Sequence, residues 1–560
     1  MGTDNVFEIN FKNKKEYILI TIIAIVLPLY VFSPALTNPY YVADQDVTER
    51  YPMIEKLRDP SLFPNYRYVH QFLELNSNVT RFFIYFILIL RYFFPMNYIY
   101  NFVMPILLSL IIVYSLYNIG RAIKNKKLGA ILVMLGTIHM WSMEHLRESV
   151  EHCIGLALVY PFLYFLISKK EKEMLLIMIL GAIFYPPVFL LLFVVYVLSK
   201  INWKRFKLVD ARKSISKIAM VLIFALILMS FNVNVSDRIS KKEARPMPEF
   251  GVGGFTPIFF DNMFHGIFSN SDDLEIGLIL FDKSSLRFGL VADEFSILLV
   301  MSIVLFIINC KLICRSLPKK VWLLPISGVI LYIAVLTFIL DIPLHIPSRY
   351  FEFSRVPFLL IISGIGIYYP FMRIKLPFVL KTISLALILF LIYMPFIAPN
   401  ENECEYGSLY DTIESLPKDA LISGTPADKS GLKCIPILSK RKVITANCFT
   451  EESSMFKEWN KVEREINYDT FKAYYSKEQK EIINYCNKYG ITHIILSNYT
   501  FSEEYLNKDF LYYQPYNNYI KNITKSRDFY FKKIYEDGQL FEGGKVSLIK
   551  CDTLLSSTDD

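Results

Sequence analysis

The sequence is poor in charged residues and lacks metal-binding motifs. Only 20% of its 560 residues are Asp, Glu, Lys or Arg, whereas ordinary soluble domains contain roughly 25%. We find no internal repeat, no CxxC pair or other zinc-ligand spacing, and no H-E-x-x-H motif. These absences argue against an ordinary soluble domain and against a zinc centre.

Apolar and aromatic residues are abundant instead, at 53% and 15% of the chain. A positive mean hydropathy over this length indicates many apolar runs rather than one large core. The net charge of +8 does not indicate a nucleic-acid partner, because the lysines cluster in short loops between apolar runs, as in polytopic membrane proteins. We also expect no cleavable signal peptide, since the first run is longer than a signal core and further runs follow.

Apolar runs of about 20 residues predict transmembrane helices. Lysines before the first run place the N-terminus inside, and the basic loops assign the sides of the later helices. The predicted crossings are at about 17–37, 97–119, 128–143, 153–168, 215–232, 293–312, 321–341, 354–372 and 377–397.

Two apolar stretches do not fit a simple crossing. The stretch 81–95 is short and contains Arg91, so we expect it to lie on the outer membrane surface. The run 174–198 has basic segments at both ends, which requires an even number of crossings, yet about 25 residues cannot cross a ~30 Å core twice. Two half-helices that fold back at FYPP (184–187) satisfy both facts, and one tilted, kinked helix is the alternative. The total is about 11 membrane segments.

The remaining sequence predicts two long outer loops and an outer domain. Residues 1–397 form the predicted membrane part, with outer loops at 38–96 and 233–292, and 398–560 form a small soluble α/β domain. Within that domain LPKDALISG, RKVITA, GITHIIL and KVSLIKC predict strands, and KEQKEIINYCNKYG predicts a helix that ends at a glycine. Five of the eight cysteines lie here, but their number and spacing identify no disulfide.

Three polar clusters fall on the predicted outer side. They are ADQD with the following RY (43–51), HMWSMEHLRESVEH (139–152) and DIPLHIPSRYFEFSR (341–355). If the second cluster is helical, Glu144, Glu148 and His152 share one face. We expect the three clusters to converge on one outward cavity, with acids on one side and arginines on another.

Such a cavity suits group transfer from a lipid phosphate. A carboxylate can take a proton from an acceptor hydroxyl, and a guanidinium can hold a phosphate through two parallel bonds. Structural roles compete with this interpretation. Asp44 and Asp46 can be a solvated loop pair, the second cluster a helix-end cap, and Arg349 and Arg355 interfacial side chains.

ADQD and RY after the first helix, with an amphipathic helix in a long first outer loop, resemble the GT-C superfamily. These integral-membrane glycosyltransferases use polyprenyl-phosphate sugars. GAIFYPPVFLLL is similar to the family's short hairpin, and PSRYFEFSR (347–355) to the R-Y segment that opens a late helix. The sequence has no WWDYG-type signature of the oligosaccharyltransferases, so the resemblance favours an uncharacterised prokaryotic branch.

The resemblance implies a mainly α, polytopic membrane bundle of GT-C type with a small C-terminal extracytoplasmic α/β domain. Its implied activity is inverting transfer of a sugar from a polyprenyl-phosphate donor to a glycan, lipid or protein acceptor at the outer face of the cell membrane. The alternative is a non-catalytic GT-C-like protein, or a carrier or flippase for lipid-linked glycans in cell-surface polysaccharide assembly.

The resemblance also assigns roles to residues. Asp44 or Asp46 would be the general base, and the same pair could hold a divalent metal, Mg²⁺ or Mn²⁺. The other roles fall on two groups: Glu144, Glu148 and His145 as secondary acids or acceptor ligands, and Arg349, Arg355, Arg147 and Tyr350 as ligands of the donor phosphate.

Overall fold

The computed structural model describes a helical bundle followed by a smaller α/β region. The described residues are 14–42, 45–69, 81–142, 150–203, 205, 207–209, 211–232, 239, 243, 246–250, 294–336, 348–377, 384, 404–427, 431–446, 456–534, 539–541 and 546–556. The predicted boundary at 397/398 lies outside them and stays a prediction.

The helices of the bundle, as far as they are described, are numbered α1 to α12. They are α1 Lys14–Val31, α2 Gln45–Arg58, α3 Arg81–Arg91, α4 Met96–Ile123, α5 Lys126–Ser142, α6 Glu151–Ser168, α7 Glu171–Phe184, α8 Pro186–Ser199, α9 Ala211–Asn232, α10 Glu294–Ser316, α11 Leu323–Leu336 and α12 Ser348–Arg373. A two-stranded ribbon, β1 Ile201–Asn202 and β2 Lys207–Leu208, separates α8 from α9. Helices occupy every predicted membrane segment except 377–397, which lies almost wholly outside the described residues.

Fewer of these helices can cross a membrane than predicted. By length and composition, 3 of the described helices qualify: Met96–Ile123, Glu151–Ser168 and Phe353–Arg373. A fourth span results if Met301–Ser316 and Lys319–Ala334, bent by 120°, count as one. The predicted total of about 11 segments is therefore not supported. Length is one physical reason. The helix predicted to cross at 17–37 ends at Val31, and its apolar part, Glu16–Val31, reaches about 24 Å of a ~30 Å core.

The hairpin predicted at FYPP is present. α7 ends and α8 begins at Tyr185, whose extended backbone (φ −150°, ψ 90°) interrupts the helix before the prolines. At the other end of the pair, Glu171 accepts hydrogen bonds from Tyr196 (2.8 Å) and Lys200 (2.5 Å). The two helices therefore fold back on each other, and the alternative of one kinked helix is wrong.

The basic loops share one end of the bundle, which we call the basic end. The contacts that join them are Lys126 to Glu16 (3.0 Å), Asn125 to Tyr368 (2.7 Å), Ser316 to Tyr369, and Lys217 to Glu171 (2.6 Å). Lys320 also lies within electrostatic range of Lys169 and Lys200. The loops that the charge pattern assigned to one side of the membrane therefore lie together at one end of the bundle.

A five-stranded sheet organises the α/β region. The elements are α13 Leu409–Ser415, β3 Leu421–Ser423, α14 Ile435–Leu438, β4 Lys442–Val443, α15 Lys457–Tyr474, α16 Gln479–Tyr489, β5 His493–Ser497, α17 Glu503–Leu506, α18 Tyr516–Ile523, α19 Tyr530–Ile534, β6 Gln539–Phe541, β7 Val546–Lys550 and α20 Cys551–Ser556. The strand order is β4-β3-β5-β7-β6, with β3 parallel to β4 and β5, and β7 antiparallel to β5 and β6.

The predicted elements of this region are confirmed. Each segment predicted as a strand contains one, and α16 ends at Gly490, whose φ of +67° is the left-handed cap conformation that glycine favours. The disulfide joins Cys404 to Cys434, with 5.8 Å between their Cα atoms. This pair is next to the bundle, because the segment around Cys434 packs against α2.

Both predicted outer loops contact the α/β region. The contacts are Tyr40 to Asp411, Lys418 to Ser61 (3.2 Å), Lys442 to Pro64 (3.2 Å), Arg67 to Glu463, and Arg464 to Glu249 (2.7 and 2.8 Å). Since α2 bonds to the start of α6, whose other end is basic, these contacts lie opposite the basic end. We call this side the α2 end.

Candidate active site at the α2 end

A buried ion pair joins α2 to the start of α6. The guanidinium of Arg50 donates to Oε1 of Glu151 at 2.8 Å, and the side chains are only 5% and 3% exposed. Glu151 is the first residue of an otherwise apolar helix, where the free amides of the first turn favour a negative charge. Buried charges at the end of an apolar bundle are costly, which makes them candidates for a functional site.

Tyr100 lies beside this pair, on the π-helical turn of α4 at Ile99–Val103. Both Arg50 and Glu151 are within electrostatic range of its hydroxyl. Among the described residues, neither that hydroxyl nor the second carboxylate oxygen of Glu151 has a hydrogen-bond partner, although both atoms are buried. Single π-turns inside α-helices occur often at functional sites. The site therefore contains polar atoms that the fold itself does not use.

The hairpin turn forms the floor of the site. The ring of Tyr185 lies 6.2 Å from that of His152 and 5.8 Å from that of Phe353. A Cβ atom at Gly155 would lie 2.7 Å from the Tyr185 ring, so glycine lets the turn approach α6 closely. Tyr350, near the start of α12, is buried within electrostatic range of Tyr185.

A second ion cluster fixes α3 next to the site. Glu55 of α2 is fully buried and accepts from Nε of Arg91 (2.8 Å), and it also pairs with Arg58 (3.1 Å). Burial and the charge of Glu55 raise the pKa of Tyr51 well above its usual value. Arg91, whose charge led us to predict that 81–95 does not cross the membrane, is thus the residue that attaches α3 to α2.

Members of all three predicted polar clusters meet here. Arg50 comes from the first cluster, His152 from the second and Tyr350 from the third. Glu151 also belongs to the second cluster, but it was not singled out there, because acids were chosen by their spacing four residues apart. The available signal was a single acid at the first position of an apolar helix, a type of position that favours functional charges.

The other predicted site residues are described in part. Asp44, Glu144, His145, Arg147 and Glu148 lie outside the described residues. Asp46 occupies the α2 position one turn before Arg50, and Arg349 precedes Tyr350 in α12. Arg355 is half-buried in the same helix. The roles assigned to all of these residues stay predictions.

No metal centre is formed by the described residues. None of their His, Cys, Asp and Glu side chains gather in a group of 3 or more that could hold an ion. Glu151 offers one carboxylate, and the cationic Arg50 against it disfavours a second positive charge there. Metal binding by Asp44 and Asp46 stays a prediction.

Comparison with known proteins was informative only for the fold. No protein-family model matches the sequence, and no curated protein sequence matches it. The apo oligosaccharyltransferase of Archaeoglobus fulgidus has a TM-score of 0.52 at 12% identity, over 89% of this chain and 71% of that chain. The same enzyme in complex with Zn and sulfate has a TM-score of 0.50 at 11% identity, over 87% and 69%. The likeness shows that this chain shares the fold of these oligosaccharyltransferase structures.

Proposed function

We propose that the protein is a membrane glycosyltransferase that moves a sugar from a polyprenyl-phosphate donor to an acceptor at the outer face of the membrane. The observation that carries this proposal is the buried Arg50–Glu151 pair, set in a fold shared with glycosyltransferases. It is a charged, partly unsatisfied site at one end of the bundle. A carrier would instead need polar groups along the bundle, at several depths.

The ion pair also restrains where the predicted acids can lie. Asp46 is four residues from Arg50, or about 6 Å along α2. Glu148 is three residues before Glu151, at most about 11 Å of extended chain. The pair attaches α2, the helix that contains Asp46, to α6, the helix that follows Glu148 in the sequence. This arrangement supports a shared role for Asp46 and Glu148.

In the proposed reaction, Asp44 or Asp46 takes the proton of an acceptor hydroxyl as general base. The acceptor oxygen then forms a bond to the anomeric carbon, and the bond from that carbon to the donor phosphate oxygen breaks with inversion. The leaving polyprenyl phosphate keeps the electron pair, and Arg349 or Arg355 stabilises its charge, with Arg147 as a substitute. Glu144, Glu148 or His145 would bind the acceptor.

Two observations support placing the α2 end outside the cell. The basic loops gather at the opposite end, as expected for the cytoplasmic side. The disulfide Cys404–Cys434 belongs to the α2 end, and disulfides persist in oxidising compartments. We therefore propose a cell-membrane protein with a cytoplasmic N-terminus and an extracytoplasmic α/β region.

The acceptor class and the metal follow less directly. The structural neighbours are oligosaccharyltransferases, one of them in complex with Zn, but this sequence lacks the WWDYG-type signature. We therefore keep a glycan, lipid or protein acceptor rather than assigning that branch. The zinc complex of that neighbour supports including a divalent metal in the proposal, and we propose Asp44 and Asp46 as its ligands.

The test is sugar transfer by purified protein in lipid nanodiscs, with a panel of radiolabelled polyprenyl-phosphate sugars and candidate glycan acceptors. We expect Asp44→Asn or Asp46→Asn to abolish product while the protein still binds donor. Asp59→Asn is the matched control, because Asp59 follows α2 directly and the hydrogen bonds described for its carboxylate come from Ser61. Full activity of both Asp44→Asn and Asp46→Asn would refute their assignment as the general base. Lipid transport without sugar transfer would favour a flippase.

A further inference from the structure

Three buried polar atoms in the candidate site lack a hydrogen-bond partner among the described residues. They are the hydroxyls of Tyr100 and Tyr350 and Oε2 of Glu151. The three residues are 3%, 2% and 3% exposed. A buried polar group without a partner loses its hydration and receives nothing in return. Since native proteins contain few such groups, each one needs an explanation.

The three residues come from helices that pack on one another. Glu151 is held by Arg50 at 2.8 Å, and the ring of the next residue, His152, lies 6.2 Å from that of Tyr185. Tyr350 is one helical turn before Phe353 in α12, whose ring lies 5.8 Å from the same Tyr185. Tyr100 lies on the π-turn of α4, which packs along α6. Three separate helices, α4, α6 and α12, therefore each contribute one buried polar atom that has no hydrogen-bond partner among the described residues.

The chemistry of the three atoms discriminates between ligands. A carboxylate oxygen only accepts hydrogen bonds, and the oxygens of an ionised phosphate only accept as well, so Oε2 of Glu151 cannot pair with them. A sugar hydroxyl both donates and accepts. It can donate to Oε2 of Glu151 and accept from the phenols of Tyr100 and Tyr350, while the apolar ring face of Tyr185 suits the C–H face of a sugar.

We propose that Tyr100, Glu151 and Tyr350 bind hydroxyls of the donor's sugar ring. The proposal rests on the proposed glycosyltransferase function and assigns its sugar subsite. It also moves Tyr350 from the donor phosphate, where the family resemblance put it, to the sugar. The apo fold leaves these groups unsatisfied because their partners arrive with the substrate.

Ligand-free stability is the first test. Tyr100→Phe and Tyr350→Phe each remove only a hydroxyl that the fold does not use, so the melting temperature of the ligand-free protein should stay the same or rise. Tyr160→Phe is the matched control. Tyr160 is also buried, and its hydroxyl also has no hydrogen-bond partner among the described residues. It is nine residues into α6 from Glu151, about 13 Å away.

Donor binding is the second test, measured in detergent with polyprenyl-phosphate glucose, polyprenyl-phosphate mannose and sugar-free polyprenyl phosphate. Tyr100→Phe and Tyr350→Phe should each weaken binding of a sugar-bearing lipid by about tenfold, since each loses one hydrogen bond. Affinity for the sugar-free lipid should not change. Tyr160→Phe should bind all three lipids as the wild type does.

Three results would overturn the proposal. A lower melting temperature in Tyr100→Phe and Tyr350→Phe would mean that these hydroxyls have structural partners. If both variants bind the sugar-bearing lipid as tightly as the wild type does, these residues do not bind the sugar. The proposed glycosyltransferase function would then still stand. If the wild-type protein binds none of the three lipids, the proposed function fails and the sugar subsite fails with it.

Discussion

The Arg50–Glu151 pair gives the sharpest stability prediction. Arg50→Met leaves a buried carboxylate without its guanidinium, and Glu151→Leu removes the carboxylate that Arg50 contacts at 2.8 Å. Removing one partner of a buried ion pair costs about 3–5 kcal/mol, whereas replacing both by apolar residues of similar volume is often neutral or stabilising. We therefore expect each single variant to lose about 3–5 kcal/mol and the double variant to lose much less than either.

The measurement is a double-mutant cycle by denaturant unfolding of the protein in detergent micelles. A coupling energy of several kcal/mol would follow from the buried geometry, and losses that simply add would refute it. Sugar transfer gives a second reading of the same variants. The double variant should recover stability but not product, because it still lacks the Glu151 oxygen that we assign to the donor sugar.

Three further predictions follow from other contacts. Gly120→Ala should lower the free energy of unfolding by about 1 kcal/mol or more and should therefore lower the melting temperature. The reason is that its Cβ would lie 2.4 Å from the backbone of Gly129. Glu55→Gln removes the buried charge that Arg91 contacts, so α3 should detach and trypsin should cut at Arg91 faster than in the wild type. Burial and a nearby lysine lower the pKa of His493, so the unfolded chain takes up the proton first. Stability should therefore fall as the pH drops through about 6.5, and His493→Gln should reduce that slope in a pH series of thermal melts.

Much of the fold was predictable because its signals are local in the sequence. The hairpin followed from basic residues at both ends of 174–198 and from prolines that interrupt a helix, and α7 and α8 meet there. The strands β3, β4, β5 and β7 followed from short apolar runs next to turn residues. In each case the residues that decide the structure are within about ten positions of each other.

The parts that were missed depend on contacts between distant segments. Arg50 and Glu151 are 101 residues apart, and no local spacing connects them. Glu144 and Glu148 were preferred because acids four residues apart share a helix face, which is a local criterion. The disulfide was undetermined for the same reason, since a disulfide depends on Cα separation in space.

The depth of the site explains why the hairpin matters to the proposed chemistry. Tyr185 contacts Gly155, four residues into α6, so the floor of the site is about 6 Å below the first residue of that helix. The phosphate of a polyprenyl lipid lies at the membrane interface, at the ends of the spanning helices. Under the proposed function, a floor one helical turn below that level would let the sugar reach Glu151 and Tyr100 while the lipid tail remains among the helices. Polar atoms at that depth are costly unless a ligand satisfies them, so the hairpin sets how far the proposed sugar subsite extends below the interface.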